Sequence, residues 1–329
     1  MQQSLDITIC LTGGPNPHNW LDFDPDLKVS NWSFPKFLRL LRELSSEKSK
    51  LTLVVHPLME KKYFLSVFIA KIKGAKIIFF YESTNLTSKS SSLLITLIKK
   101  IYFSVADYVI TVGNRSSEHT ISFGISPLKV VELFNAVDSF QIIKNAASES
   151  VPNTVHTGHR YLFVGQFIPR KNVENLLHAF AINLKSNDSL TLAGSGYLQS
   201  HLEELVNELG LTDRVKFTGY IEQNQTYKMY YHHDTLILPS TEEVWGLVAN
   251  EALTSGMHVV ISDVCGVCDL ITDFPGVFIC GTDAVSINQA MQLSAKNWSG
   301  RIANPRILDF DTKNLAVKFI RQISLVNRK

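Results

Sequence analysis

Residues 239–260 read PSTEEVWGLVANEALTSGMHVV, and their punctuation decides the fold. The apolar run Thr235–Leu238 leads into them, Gly246 opens a stretch with Leu247, Val248, Ala252 and Leu253 at helical spacing, and a second apolar run begins at His258. Short apolar runs bounded by turn residues fit buried strands, and the spaced run fits a helix. Strand, turn, helix and strand in that order imply parallel strands in one sheet. The stretch also sets Glu243 and Glu251 eight positions apart, a separation that helical rise limits to about 10–12 Å. Asp234 and Glu242 share the spacing, so the weight falls on the setting. Glu243 follows a strand, Gly246 allows a close backbone approach, and the helix start leaves amides free to meet an anion.

The same alternation extends outward in both directions. Towards the C-terminus strands are expected at Tyr161–Gly165, Leu190–Ala193, Val215–Phe217, Thr235–Leu238, His258–Ile261 and Val277–Ile279. Helices are expected at Val173–Leu184, Gln199–Leu209, Gln225–Tyr231, Gly246–Thr254, near Leu270, at Val285–Leu293 and at Thr312–Ile323. Towards the N-terminus strands are expected at Leu5–Thr12, Leu51–His56, Lys76–Tyr81, Tyr108–Val112 and Val130–Phe134. The helices between them fall at Phe34–Leu44, Tyr63–Ile72, Ser91–Ser104 and Ser116–Phe123, and the twenty residues after Gly14 read as a loop. The pattern lapses into polar and small residues between Asn135 and Arg160. The expected organisation is therefore an N-terminal domain over 1–140, a linker over 141–159 and a C-terminal domain over 160–329. Both halves read as α/β, doubly wound and Rossmann-like, with ligands at the carboxyl ends of the strands and in the crevice between facing halves.

Composition narrows the partners. The chain has 329 residues, is 45% hydrophobic and 19% charged, and carries a formal charge of +2, so a nucleic-acid partner is not expected. Residues 1–140 hold 16 Lys and Arg against 12 Asp and Glu. The N-terminus lacks the basic start and apolar run of a signal peptide, and no apolar stretch reaches the ~18 residues of a spanning helix. A cytoplasmic protein is the expectation. The apolar runs Tyr63–Ile72 and Leu93–Phe103 are flanked by lysines, which leaves a peripheral membrane contact through the N-terminal domain open. Cys265 and Cys268 form a C-x-x-C, but no second pair completes a zinc site, so metal binding is not expected.

Two further turns carry chemistry. In FVGQFIPRKNVENLLHAF, residues 163–180, a strand ends at Gly165 and Arg170 and Lys171 then precede a helix. Cations at a helix N-terminus oppose its dipole unless an anion lies between them, which points to a phosphate. Gly194, Ser195 and Gly196 offer a close-approach turn after a strand, without the third glycine of a dinucleotide fingerprint.

Together VGQFIPRKN, LAGSGYLQSHLEELVNELGLTDRVKFTGYI and LPSTEEVWGLVANEALTSGMHVV resemble the retaining glycosyltransferases of family 4, which have the GT-B fold. The likeness covers Tyr161 to about Ile271, and ADYVITVGNRSSEH with LFNAVD more loosely. It implies a glycosyltransferase that moves a sugar from a nucleoside diphosphate sugar to a glycan or lipid-linked acceptor, with retention, without a metal or cofactor, and with UDP-sugars favoured over GDP-sugars. Cell-surface polysaccharide or glycoconjugate synthesis would be the setting. Residue by residue, Glu251 would hold the ribose, Glu243 the donor sugar and Lys171 the diphosphate. The amides of Trp245, Gly246, Leu247 and Val248 would meet sugar and diphosphate. Gly13, Gly14, Gly165 and Gly194–Gly196 would pass close to the ligand, and Tyr220 and Ile221 would flank the base.

The chain departs from the family at two places. Gln166 stands where an arginine is common, with Arg170 as its substitute, and the strand end that usually carries a histidine reads FFYESTN, leaving Tyr81, Glu82 or the preceding His56. The family's glycine pair is replaced by Cys265-Gly266, followed by Asp269, which accounts for the C-x-x-C without redox chemistry. A sugar-nucleotide epimerase or hydrolase of the same fold and a non-catalytic sugar-nucleotide binder remain the alternatives.

Overall fold

The computed structural model describes residues 8–11, 28–31, 52–55, 61–85, 92–147, 158–182, 185, 187–312, 314–315 and 317. The expected helix at Phe34–Leu44, the Gly13-Gly14 turn and His56 lie outside them, as does most of the expected helix at Thr312–Ile323. The chain divides into two compact units, one of residues 1–81, 91–110 and 120–131, the other of residues 82–90, 111–119 and 132–329.

In the first unit β1 (Thr8–Leu11) pairs in parallel with β2 (Lys28–Asn31). That strand falls inside the stretch expected to be a loop, and the reason is plain in its sequence. KVSN holds a single apolar residue, so no alternation is there to read. A four-stranded sheet follows in the order β3-β4-β5-β6, with β3 at Thr52–Val55, β4 at Lys76–Tyr81, β5 at Tyr108–Val112 and β6 at Val130–Leu133. The helices α1 (Lys61–Ile72) and α2 (Leu93–Ser104) make the first two crossovers. Because the sheet order advances one strand at a time in one direction, right-handed crossovers place both on the same face. Phe68 and Tyr102 meet across them with ring centroids 6.1 Å apart. Phe79 stacks on Tyr102 at 4.7 Å, and Ile77, Ala70 and Val67 complete the core under them. The third crossover helix is α3 (Gly113–Ser122).

The second unit holds a six-stranded sheet in the order β12-β11-β10-β7-β8-β9. Its strands are β7 (Arg160–Val164), β8 (Ser189–Ala193), β9 (Val215–Gly219), β10 (Thr235–Leu238), β11 (His258–Ser262) and β12 (Val277–Cys280). Before it comes α4 (Ser139–Ala147), inside the stretch expected to be linker. Asp138 Oδ1 caps it by accepting from the Gln141 amide at 3.0 Å, and Ile142 anchors it in the interior. One fully buried side chain, Ile142, among the described residues 139–145 gives too little periodicity to announce a helix.

The remaining helices are α5 (Val173–Ala181), α6 (Gln199–Glu208), α7 (Gln223–His232), α8 (Leu247–Thr254), α9 (Cys268–Ile271) and α10 (Ala284–Asn297). Every residue of β10 and β11 is buried, as expected for central parallel strands covered on both faces. Phe163, Phe167, Phe180 and Leu192 fill the core beneath α5 and α6. The strand order reverses between β7 and β10, whose amino ends are locked where Asp234 takes hydrogen bonds from the Arg160 amide at 2.9 Å and guanidinium at 2.6 Å. In an open α/β sheet the carboxyl ends at such a reversal form the ligand crevice.

Candidate active site

The two strands at the reversal deliver the two charged turns. Beyond β7 the chain passes Gly165 and the exposed Gln166, makes a single 3-10 turn at Pro169–Lys171 and enters α5 through Asn172. Beyond β10 it passes Pro239, Ser240 and Thr241 to Glu242 and Glu243. There Lys171 Nζ donates to Glu243 Oε2, and Arg170 Nη1 lies 3.8 Å from the same oxygen. The sequence assigns the lysine and the carboxylate to separate parts of a ligand; the fold makes them partners. Both side chains are 13% exposed, so the pair sits in a largely desolvated setting.

Two hydrogen bonds fix the turns against each other. The Thr241 amide donates to Arg170 O at 2.9 Å, and Asn172 Nδ2 donates to Pro239 O at 2.9 Å and to Thr282 O at 2.7 Å. Asn172 has a φ of 59°, left-handed backbone that costs a non-glycine residue about 1–2 kcal/mol. The side-chain bonds hold it there.

Gly246 starts α8 with a φ of 103°, and a Cβ there would lie 2.7 Å from Leu238 Cδ2. The turn therefore admits only glycine, and the amides of Leu247 and Val248 open the helix behind it. The Ala249 amide already returns to Gly246 O at 2.9 Å. Trp245 turns its ring inward against Phe134, edge-on at 5.0 Å, so its backbone alone faces the turn.

Glu251 lies about one helical turn further along α8 and accepts a hydrogen bond from Tyr230 Oη at 2.7 Å. Burial raises its pKa to about 7, with the Tyr230 hydroxyl holding it partly down. Tyr230 is the residue that the sequence did not reveal: it sits on α7, 21 positions from its partner, in a run with no motif. Ser240 Oγ, Trp245 Nε1 and Asn250 Oδ1 are buried without hydrogen-bond partners, all within residues 239–260. Each such atom costs about 1–3 kcal/mol, a concentration of strain that folding alone does not require.

The glycine-rich turn lies beside this cluster. A Cβ on Gly194, whose φ is 145°, would meet Gly165 O at 1.8 Å, and the Gly194 amide donates to Gly219 O at 3.0 Å. Ser195 O accepts from the Phe167 amide at 2.9 Å, and Gly196 packs on the Phe167 backbone. The ends of β7, β8 and β9 are thus laced together, and Tyr220, 80% exposed, and the half-buried Ile221 follow directly.

On the other strand ends the expectations diverge. Tyr81 is 1% exposed and packs edge-on against Phe103 at 5.3 Å, which makes it a core residue rather than a group open to substrate. Glu82 is half-buried, and burial raises its pKa. Cys265 and Cys268 are buried thiols, and burial pushes that of Cys265 to about 12, too high for redox or nucleophilic work at neutral pH. Their turn is structural: the Gly266 amide donates to Glu243 O at 3.2 Å, and Asp269 takes a two-pronged bond from Arg115 at 2.8 Å on each prong. Among the described residues no group of three His, Cys, Asp or Glu could hold a metal ion.

A doubly wound sheet with a cation, a carboxylate and a helix start at its reversal defines a Rossmann-like α/β unit, and comparison places it more closely. Residues 147–301 match the family described as glycosyl transferases group 1. An uncharacterized glycosyltransferase of Methanocaldococcus jannaschii is 29% identical over 202 residues, 59% of this chain and 52% of the relative. The N-acetylgalactosamine-N,N'-diacetylbacillosaminyl-diphospho-undecaprenol 4-alpha-N-acetylgalactosaminyltransferase of Campylobacter jejuni is 28% identical over 56% of this chain and 47% of that one. The chain spans about half the length of these relatives. Among solved structures, Anabaena HepE in complex with UDP shares the fold with a TM-score of 0.65 at 15% identity, over 91% of this chain and 86% of that one. The fold is GT-B, as expected from the sequence.

Proposed function

We propose that the chain moves a sugar from a nucleoside diphosphate sugar to a glycan or lipid-linked acceptor, with retention at the anomeric carbon and without a metal ion. The observation that carries this reading is the meeting of Arg170, Lys171 and Glu243 at the strand-order reversal, beside the start of α8. When the bond to the sugar breaks, the departing diphosphate gains negative charge. Lys171, Arg170 and the Leu247 and Val248 amides are prearranged cations and dipoles at that place, and such groups lower a barrier because they need no reorganisation. Glu243 holds the donor sugar's hydroxyls and Glu251 those of the ribose, with Tyr220 and Ile221 beside the base. Glu82, with its pKa raised by burial, is the acceptor-side group in this reading, and Tyr81 supports it from the core.

UDP-sugars are favoured over GDP-sugars as donor, supported by the UDP bound in Anabaena HepE. The Campylobacter relative's diphospho-undecaprenol acceptor supports a lipid-linked acceptor and a role in surface-glycan synthesis at the cytoplasmic membrane face. A thermal-shift screen of UDP, GDP and their sugars, followed by transfer assays with and without a chelator, tests this. Ligand at a hundred times its dissociation constant stabilises by about 2.7 kcal/mol. The expected result is a larger shift with UDP than with GDP and turnover indifferent to the chelator. No shift with any nucleotide would sink the assignment, while binding without transfer would leave a non-catalytic sugar-nucleotide binder.

A further inference from the structure

Helix α2 buries Tyr102 and Phe103 and turns a second apolar face outward. Leu93 is 87% exposed, Leu94 64%, Leu97 54%, Ile98 43% and Ile101 49%. At 3.6 residues per turn and 1.5 Å rise per residue these five fall within an arc of about 140°, a strip ~12 Å long. On α1, Leu65 is 67% exposed and Ile72 85%, seven positions apart and so on one side. The two helices lie on one face of their sheet and touch through Phe68 and Tyr102. Five exposed aliphatic side chains on one strip of α2 and two on one side of α1 therefore stand on neighbouring helices. Single exposed aliphatics are ordinary, whereas a contiguous patch of this kind marks a contact.

Charge identifies the contact. From Lys61 to Asp107 the sequence holds eight lysines and two acids, Glu82 and Asp107, the latter paired with Lys71 at 2.6 Å, a net of +6 in a chain whose total is +2. The exposed Lys100 borders the strip on α2. We propose that the outer face of α1 and α2 docks on the surface of an anionic lipid bilayer, its aliphatic strip at the acyl boundary and its lysines at the headgroup phosphates. No described helix is long and apolar enough to cross a membrane, so the contact is in the plane of the interface. A second copy of the chain suits the face poorly, because a two-fold contact would set lysines against lysines. The inference is independent of the donor site, since it rests on none of its residues.

Sedimentation of the full chain with phosphatidylcholine vesicles, with and without phosphatidylglycerol, tests it. The wild type is expected to pellet with the mixed vesicles and to release severalfold in high salt. Leu97→Glu combined with Ile98→Glu should weaken binding at least tenfold. Lys100→Glu should weaken it about fivefold or more, at ~1 kcal/mol for each lysine near an anionic surface. Unchanged melting of the variants confirms that they fold. Failure to pellet, or binding unaffected by all three substitutions, overturns the proposal. Self-association without vesicles that the leucine–isoleucine variant abolishes also overturns it, in favour of a second copy.

Discussion

The two sheets are built by the same strand–helix alternation, yet their helices treat the outside differently. Around the six-stranded sheet, α5 presents Leu176, Leu177 and Phe180 to the core and keeps Glu174 at the surface. Around the four-stranded sheet, α2 spends Tyr102 and Phe103 on the core and exposes six aliphatic residues, five of them along one strip. An ordinary amphipathic helix satisfies one apolar face and ends there. A helix with a second such face is what the proposed docking on a bilayer would require. In the proposed reading chemistry gathers at strand ends, whereas association gathers on a helical surface.

That contrast can be broken by substitution, beginning where the effect should be largest. Phe163 is fully buried in the six-stranded unit, and Phe163→Ala should cost about 4 kcal/mol in chemical denaturation. Next comes Lys171→Ala. Loss of a charge-stabilising donor commonly costs ~3 kcal/mol of barrier, so turnover with a nucleotide sugar should fall more than tenfold. Wild-type kinetics would remove Lys171 from the mechanism.

Glu251→Gln has a smaller and pH-dependent effect. The folded pKa of about 7 exceeds the ordinary 4.5, so the native state binds more protons than the unfolded one. Its burial therefore costs stability as pH rises from 4.5 to 7, and the whole cost is present above 7. Glutamine escapes that cost, so the variant should gain up to ~2 kcal/mol over wild type above neutrality and nothing below the lower value, read by melting at both ends. In the wild type, nucleotide affinity should rise as pH passes 7, because an ionised carboxylate is the better ribose acceptor. Leu97→Glu on α2 should change unfolding by less than about 0.5 kcal/mol, as expected of an exposed position. A large loss there would mean that the strip belongs to the fold rather than to a partner.

The six-stranded unit was legible because its strands are short apolar runs that each end in a turn of unusual composition. Gly246, Gly194 and the Arg170-Lys171 pair could be recognised one at a time, since each lies in the turn between a strand and the helix that follows it. What the sequence hid depends on contacts across long separations. The Tyr230–Glu251 bond spans 21 positions and the Arg115–Asp269 pair 154, and neither leaves a local mark. Strand β2 and helix α4 escaped notice because each has too few core residues to establish a period. Tyr81 illustrates a related difficulty. A strand end carries both core-facing and open positions, and only the packing of Phe103 tells which it is.

Asn172 gives the site a mechanical property. Its side-chain amide grips Pro239 and Thr282 while the preceding turn accepts the Thr241 amide, so the segment bearing Arg170 and Lys171 and the segment bearing Glu243 are riveted at two points within a few residues of their charges. Cation and carboxylate therefore have no hinge between them. Any adjustment to a ligand must come from side-chain torsions of Lys171, Arg170 and Glu243, or from movement of the whole edge as one rigid plate. The spacing between the two charges is a ruler, set by one asparagine, against which ligands are measured.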